Sequence, residues 1–226
     1  MRSFIKANGA WLIPLLAMAI FTPFSPAIDL AVSKYFYDPV KGFSDSKFYS
    51  FMYTYGLIPA QLTFMTAAVL LFLSSFFSRW KKWQPASLVL VLTLAIGAGL
   101  IAHVMLKDHW GRPRPRQVVE FGGNQQFRPY YSPNFSDQPE PSKSFSCGHC
   151  TMGFYFFSLA LVARRIGSRS LYIAGIILAI VLGGALSLTR IAQGGHFLSD
   201  TLASALIMWL TAYFCDKLVF SSEGKS

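Results

Sequence analysis

Charged residues are scarce in this chain, and their scarcity excludes an ordinary soluble domain. Only 13% of the 226 residues are Asp, Glu, Lys or Arg, whereas 53% are hydrophobic and the mean hydropathy is +0.42. Soluble domains carry about 25% charged residues. Neither an internal repeat nor a low-complexity tract is present. This composition is typical of an integral membrane protein.

Six apolar stretches are long enough to cross a bilayer, and they predict an all-α polytopic membrane protein. A helix needs about 20 mainly apolar residues to span a hydrocarbon core of about 30 Å. The first stretch has no clear small-residue cleavage site after it, so we expect an uncleaved anchor and one domain over residues 1–226. The stretches are approximately residues 9–28, 57–77, 86–106, 147–163, 171–188 and 197–215.

Acidic residues are nearly absent from one side of this predicted membrane topology. That side carries ten of the twenty bases and only two of the ten acids, and the other side carries the remaining ten bases and eight acids. Lys and Arg next to membrane spans are retained in the cytoplasm. We therefore expect both termini to be cytoplasmic. The bases are split between two faces and no soluble domain remains, which argues against nucleic-acid binding.

Three polar clusters interrupt the apolar chain, each at the end of an apolar stretch. All three fall on the extracytoplasmic side of the predicted topology. Charged and imidazole groups kept at the membrane are costly, so they are functional candidates by default. The clusters are KDHWGRPRP at 107–115, SFSCGHC at 144–150 and TRIAQGGHFLSD at 189–200.

The last cluster contains a histidine and a carboxylate one helical turn apart. Arg190 ends the fifth stretch, Gly194–Gly195 turn the chain, and His196 begins the sixth stretch with Asp200 four residues later. Residues at i and i+4 share a helix face, so the Asp200 carboxylate can fix one imidazole nitrogen and leave the other as a nucleophile. In isolation, such a pair is more often structural or interfacial.

The middle cluster places Gly148 and His149 at the predicted start of the fourth helix. Backbone N–H groups at a helix start bind anions, and a glycine lets a phosphoryl oxygen approach the backbone closely. The unperturbed pKa of histidine lies near neutrality, so His149 could protonate a leaving alkoxide. The alternative is an interfacial histidine in a loop.

The first cluster supplies bases for a phosphate. Lys107 ends the third stretch and Arg114 follows seven residues later, with Arg112 and Arg116 beside it. Arginine matches phosphate oxygens bidentately, and lysine acts as a point charge. Bases after a membrane helix are usually a solvated flank, but their coincidence with the two other clusters on one face favours a phosphate site.

Together the clusters resemble the three-part signature of the type 2 phosphatidic acid phosphatase (PAP2) superfamily. The resemblance implies a six-helix bundle in which His196 attacks phosphorus to form a phosphohistidine, supported by Asp200. It also implies that His149 protonates the leaving oxygen and then activates water, without a metal or other cofactor. The matching residues are Lys107 and Arg114–Pro115, then Gly148–His149, then Arg190, His196 and Asp200; Lys107, Arg114 and Arg190 would hold the phosphoryl oxygens.

Two positions depart from the family signature. The family usually has Pro-Ser-Gly-His in the middle motif, where this chain has Ser146-Cys147-Gly148-His149. The resemblance thus implies that the thiol of Cys147 replaces the phosphate-binding hydroxyl, while Ser146 is shifted by one position. Thr189 precedes Arg190 where the family usually has serine, which is a mild change.

Within the superfamily, the phrases around the three motifs are most similar to bacterial lipid A phosphatases, particularly those acting at the 4′ position. That similarity implies a bacterial inner-membrane enzyme whose partner is a lipid phosphate on the periplasmic side, with no obligate protein partner. The same chemistry would serve phosphatidylglycerophosphate, phosphatidic acid, undecaprenyl pyrophosphate or a phosphotransfer reaction. Substrate choice is expected to depend on residues 116–144 and on the aromatic stretch 35–55.

Other functional classes lack the residues that they need. The Cys147–Cys150 spacing is that of redox motifs, but there is no second cysteine pair, and only Cys215 remains. A zinc site would lack a fourth ligand. A regulatory or incidental Cys147–Cys150 bond remains open, and so does a transporter in which His103, one turn before Lys107, belongs to a solute pathway.

Overall fold

Helices dominate the structure, a computed structural model that describes residues 2–135 and 141–223. Local signals explain several helix starts. The Ser46 hydroxyl accepts a hydrogen bond from the Tyr49 N–H at 3.3 Å. Proline occupies the first turn of three helices, where the backbone N–H that it lacks would have no partner within the helix. The elements of the N-terminal third are α1 (Arg2–Phe21), α2 (Ser25–Tyr35), the antiparallel pair β1 (Tyr37–Asp38) and β2 (Gly42–Phe43), α3 (Lys47–Tyr55) and α4 (Ile58–Phe76).

The remaining helices carry or adjoin the three polar clusters. Helix α5 continues directly as a π-helix that ends at Lys107. The elements are α5 (Gln84–Leu92), the π-helix (Thr93–Lys107), α6 (Gly148–Phe154), α7 (Phe156–Arg165), α8 (Arg169–Ala192) and α9 (Leu198–Glu223). Short 3-10 segments cover Thr22–Phe24, Ser78–Trp83, Pro115–Gln117 and Val119–Phe121.

The prediction of a helical membrane protein is confirmed, with one refinement. Five of the described helical segments are long and apolar enough to cross a membrane: Asn8–Tyr35, Lys47–Phe76, Ser78–Lys107, Arg169–Ala192 and Leu198–Ser221. The fourth predicted stretch, 147–163, instead forms the two consecutive helices α6 and α7. The Tyr155 N–H between them bonds to the Thr151 carbonyl at 2.9 Å, so the chain stays on a helical path.

Helices α6 and α7 lie in the interior because small residues let them approach α8 closely. A Cβ atom added to Gly153 would lie 2.5 Å from the Gly183 Cα, and one on Gly175 would lie 2.7 Å from the Ala160 nitrogen. Small residues allow this backbone approach between membrane helices. Tyr155 and Ala160 are accordingly fully buried.

The outward faces of the long helices are apolar. Leu62, Phe72, Val181 and Leu218 are each more than 60% exposed, while serine and threonine side chains such as Ser158 are buried. An apolar exterior of this extent is matched to hydrocarbon rather than to water. The exterior therefore agrees with a membrane location.

The segment between the π-helix and α6 folds across one end of the bundle. Val118, Phe121 and Phe197 form a buried cluster there, and backbone hydrogen bonds join Val119 and Gln117 to Gln125 at 2.9 Å each. Residues 136–140, which belong to the predicted substrate-selecting segment, lie outside the described residues. The described part of this segment brings the first polar cluster next to the other two.

At the end of the bundle away from the three polar clusters, an ion pair joins α7 and α9. Arg165, at the end of α7, donates to both oxygens of Asp216 on α9, with a closest distance of 2.7 Å. Asp216 follows Asp200 by sixteen residues, which is about 24 Å along a helix. Helix α9 thus connects two buried carboxylates at its two ends.

Candidate active site

Five of the eight predicted site residues line one cavity of about 410 Å³. Lys107 ends the π-helix, Arg114 precedes a 3-10 turn, His149 lies in the first turn of α6, Arg190 lies in the last turn of α8, and His196 lies between α8 and α9. Helix ends thus place all five side chains at the same edge of the bundle. The other lining residues are Phe43, Ser44, Asp45, Tyr53, Arg116 and Gln193.

Two glycines fix the tight turn that presents His196. Gly194 has a positive φ of 61°, and a Cβ there would lie 2.4 Å from the Phe43 ring. A Cβ on Gly195 would lie 2.2 Å from Nη2 of Arg190. A residue with a side chain at either position would therefore displace Phe43 or the Arg190 guanidinium.

The His196 ring is held in one tautomer by a backbone carbonyl. Its Nδ1 lies 2.5 Å from the Ser144 oxygen, and a carbonyl can only accept, so Nδ1 carries the proton. Nε2 then keeps its lone pair. Burial lowers the pKa of His196 to about 4, although the Asp200 carboxylate acts in the opposite direction. The ring is therefore neutral at pH 7, as a nucleophile must be.

Asp200 lies behind His196, but not as its direct partner. The distance from His196 Nδ1 to Asp200 Oδ2 is 3.7 Å, longer than the contact with the Ser144 carbonyl. The expectation that Asp200 fixes the tautomer of His196 is therefore corrected, because the Ser144 carbonyl is the nearer partner of Nδ1. Ser144 joins the two residues, because its hydroxyl donates to Asp200 at 2.6 Å while its carbonyl accepts from His196.

Arg190 has an unsatisfied donor. Its Nη1 donates to Gln193 at 2.9 Å, whereas its buried Nε–H has no hydrogen-bond partner within the described residues. Arg190 is 9% exposed, and an unpaired donor at that burial is costly. An anion in the cavity would satisfy it, together with the charges of Lys107 and Arg114.

Tyr53 connects two of these side chains. Its ring stacks on His149 with centroids 4.5 Å apart and planes 14° apart, and the Arg190 guanidinium carbon lies 4.8 Å from the Tyr53 centroid. Helix α3 therefore contributes a ring that orders both a base and a cation. The sequence marked only a broad aromatic stretch, 35–55, for this region.

Comparison with known proteins identifies the architecture around this cavity. The family model described as the PAP2 superfamily matches residues 86–222, more than half of the chain. The chain belongs to the PAP2 superfamily. The resemblance inferred from the three motifs is thereby confirmed. No solved structure matches the chain significantly.

Three curated relatives are each named lipid A 4′-phosphatase. The one from Francisella tularensis subsp. novicida (strain U112) is 36% identical over 164 residues, which cover 71% of each chain. The relative from Rhizobium leguminosarum is 34% identical over 53% of this chain and 47% of its own length. That from Rhizobium etli (strain ATCC 51251 / DSM 11541 / JCM 21823 / NBRC 15573 / CFN 42) is 32% identical over 47% and 39%. This chain is accordingly a membrane lipid phosphatase, a hydrolase of phosphoric monoesters in a bacterial membrane.

The PAP2 middle motif differs here from the prediction made for Cys147. That residue is fully buried, its sulfur is bonded to Cys150, and its N–H donates to Ser204 at 3.0 Å. Cys147 therefore has no thiol to offer a phosphate, which corrects its predicted binding role. The neighbouring Ser146 does not replace it, because its buried hydroxyl bonds to the Ala102 carbonyl at 3.3 Å.

Gly148 lies beside the cavity next to the Lys107 ammonium. A Cβ on Gly148 would be 3.7 Å from the Lys107 Nζ, and both residues line an adjoining groove of about 440 Å³. His103 lines the same groove, and its Nε2 is 3.8 Å from the Asp108 carboxylate at the C-terminal end of the π-helix. The lysine of the PAP2 signature thus touches both a polar cavity and a mainly apolar groove.

Arg112 and Arg116, adjacent in sequence to the PAP2 arginine Arg114, have different environments. Arg116 lines the cavity, whereas Arg112 is fully buried behind it and bonds to Asp29 and Asp200. Asp29 was missed from the sequence. The signal that could have found it is a lone carboxylate inside the first apolar helical segment, where an unpaired charge is costly.

Proposed function

We propose that the cavity transfers the phosphoryl group of a lipid phosphate monoester to His196. The observation that carries this proposal is a neutral imidazole with its Nε2 lone pair available, lining the same cavity as the unsatisfied Nε–H of Arg190. A nucleophile beside an electropositive oxyanion site is the arrangement that phosphoryl transfer needs.

In the first step, His196 Nε2 attacks phosphorus, so that a P–N bond forms while the P–O bond to the lipid breaks. Lys107, Arg114 and Arg190 bind the non-bridging oxygens and stabilise their charge in the transition state. His149 gives its proton to the departing lipid oxygen. Burial lowers the pKa of His149 to about 4, and the negative charge of a bound phosphate dianion raises that pKa and favours the imidazolium.

In the second step, His149 takes a proton from water as the water oxygen attacks phosphorus. The P–N bond breaks, inorganic phosphate leaves, and His196 returns to its neutral form. Asp200, 3.7 Å from His196 Nδ1, stabilises the positive charge that the ring carries while it is phosphorylated. The protein side chains supply all the positive charge in this scheme, so we expect activity to survive EDTA.

Lipid A is the proposed substrate, with the 4′-phosphate favoured over the 1-phosphate. The three relatives named lipid A 4′-phosphatase support this choice, and so does the match of one of them over 71% of each chain. Phosphatidylglycerophosphate, phosphatidic acid, undecaprenyl pyrophosphate and transfer to an acceptor lipid are the alternatives that the same chemistry serves.

We further propose that the chain lies in the inner membrane with cytoplasmic termini and a periplasmic cavity. The basic residues Arg164, Arg165 and Arg169 lie at the ends of α7 and α8 away from the cavity. Clusters of Lys and Arg at one end of the spans are retained in the cytoplasm. A cysteine-labelling map of the loops would test this orientation.

Phosphate release by the purified, detergent-solubilised protein tests the mechanism. We expect His196→Ala to abolish release, because the imidazole nitrogen that would form the P–N bond is then absent. His109→Ala is the matched control, since His109 is exposed and bonds to the Val104 carbonyl outside the cavity. Release that persists in His196→Ala would show that the proposed mechanism is wrong.

Mass spectrometry of lipid A from cells with and without the protein tests the substrate. We expect one phosphate fewer on lipid A when the active protein is present, with the loss at the 4′ position. Cells expressing His196→Ala provide the control. Unchanged lipid A alongside phosphate release from a glycerophospholipid or undecaprenyl pyrophosphate would reject lipid A and retain the phosphatase.

A further inference from the structure

A buried ionic network lies behind the nucleophile and reaches the N-terminal helices. Arg112 is its centre: Nη1 lies 2.5 Å from Asp200 Oδ1, and Nη2 lies 2.8 Å from Asp29 Oδ2. All three side chains are 0% exposed. Arg112 Nε also donates to the Arg128 carbonyl at 2.9 Å. The guanidinium is therefore fixed in one orientation by three different parts of the chain.

Hydrogen-bond donors surround both carboxylates, and this arrangement favours the ionised form of each. Asp29 accepts from the Ser199 N–H at 2.8 Å, from the Ser199 hydroxyl at 2.6 Å and from Arg112. Asp200 accepts from the Ser144 hydroxyl, the Phe197 N–H and Arg112. A protonated carboxyl would place its own hydrogen against one of these donors. Two negative charges thus share one positive charge.

This excess negative charge lies where the reaction creates positive charge. Asp200 Oδ2 is 3.7 Å from His196 Nδ1, and the Ser144 carbonyl that accepts from Nδ1 belongs to a residue whose N–H bonds to the Arg112 carbonyl at 2.9 Å. Without Asp29, Arg112 would neutralise Asp200. With Asp29, Asp200 keeps its effect on the ring.

We propose that Asp29 and Arg112 are positioning residues of the phosphatase site. They hold Asp200 and Ser144 against His196, and Asp29 offsets the Arg112 charge so that a net negative charge faces the phosphorylated imidazole. The inference rests on the proposed role of His196 as nucleophile. It assigns a function to α2, which lies outside the region matched by the family model.

Asp29→Asn tests this role because asparagine keeps the size and removes the charge. With purified lipid A as substrate, we expect kcat to fall about tenfold, since the lost charge faces a cation formed only during reaction, and KM to change less than twofold. Asp29→Glu, which retains the charge, should keep a higher kcat than Asp29→Asn. A purely structural role would instead lower the amount of folded enzyme without this kcat-specific effect.

Asp216→Asn is the matched control, because Asp216 is equally buried and arginine-bound but lies at the other end of α9. We expect its kcat per folded enzyme to equal that of the wild type. Equal kcat values for Asp29→Asn and Asp216→Asn would overturn the proposal. So would an equal loss of kcat in Asp29→Asn and Asp29→Glu.

Ser199→Ala keeps the proposal testable if Asp29→Asn does not fold. The Ser199 hydroxyl accepts from Arg112 at 2.8 Å and donates to Asp29, so its removal loosens the network without changing its charge. We expect kcat to fall about threefold, because the charges stay in place while two hydrogen bonds that orient them are lost. An unchanged kcat in Ser199→Ala would overturn the proposal. Activity in His196→Ala would instead reject the nucleophile, so the two failures are distinguishable.

Discussion

Two buried carboxylates on α9 differ in the arginines that hold them. Asp200 is bound by Arg112, which is fully buried, whereas Asp216 is bound by Arg165 and approached by Arg164, whose side chains are 38% and 57% exposed. An ion pair with access to solvent tolerates change, because water can solvate whichever partner remains. An enclosed pair requires every donor in place. We infer that the Asp216 ion pair anchors two helices, whereas the Asp200 ion pair fixes the geometry of the site.

Neutralising the two carboxylates, one at a time, should give the largest difference in activity between the two ends of α9. Asp200→Asn would lose the charge behind His196 and set its amide hydrogens against the donors of Ser144, Phe197 or Arg112, so we expect kcat to fall about 10³-fold. Asp216→Asn should stay within about twofold. Steady-state phosphate release per folded enzyme measures both. A loss of less than tenfold in Asp200→Asn would remove the distinction between the two ends.

The sequence predicted the cavity-lining residues because their positions follow from helix ends. Lys107, His149, Arg190 and His196 each end, begin or adjoin a predicted apolar stretch, and their motif order requires that they meet on one face. Positions of this kind can be predicted from the sequence without knowledge of tertiary contacts. The composition likewise predicted a helical membrane protein, because a chain whose exterior is apolar contains few charged residues.

The supporting contacts could not be predicted because they join distant residues. The Arg112–Asp29 pair spans 83 residues, and the bond from His196 to the Ser144 carbonyl spans 52. Every residue has a backbone carbonyl, so the sequence does not show which carbonyl accepts the hydrogen bond. The 147–163 stretch was assigned as one helix since hydrophobicity cannot reveal the break at Tyr155.

Replacing one arginine at each end of the bundle should give the second-largest difference in activity. Arg190→Lys removes the buried Nε–H and the planar fork, so we expect kcat/KM to fall about 10²-fold. Arg165→Lys is the matched control, because the Arg165 side chain is 38% exposed and lies at the other end of the bundle, away from the cavity; kcat/KM should change less than threefold. Inhibition by inorganic phosphate should weaken only in Arg190→Lys. Equal phosphate inhibition in both variants would contradict an oxyanion role for Arg190.

Two cation–ring contacts give a smaller and equally matched comparison. The Arg190 guanidinium carbon lies 4.8 Å from the Tyr53 centroid, and Lys217 Nζ lies 4.8 Å from the Tyr213 centroid at the other end. We expect Tyr53→Leu to lower kcat/KM about tenfold, because the ring orders both Arg190 and His149. Tyr213→Leu should leave kcat/KM near wild type per folded enzyme. An effect of equal size in both variants would indicate general destabilisation.

The last expected difference concerns stability at acid pH and not catalysis. The pKa of His196 is about 4 in the folded protein because of burial, against an ordinary value of 6.5. Above pH 6.5 the ring is neutral in both states. As pH falls from 6.5 to 4, only the unfolded chain gains the proton, so the fold loses up to about 3 kcal/mol. Thermal unfolding in detergent should therefore show a shallower loss of Tm towards pH 4.5 for His196→Asn than for wild type. Identical slopes in wild type and His196→Asn would mean that this histidine is not held neutral by burial.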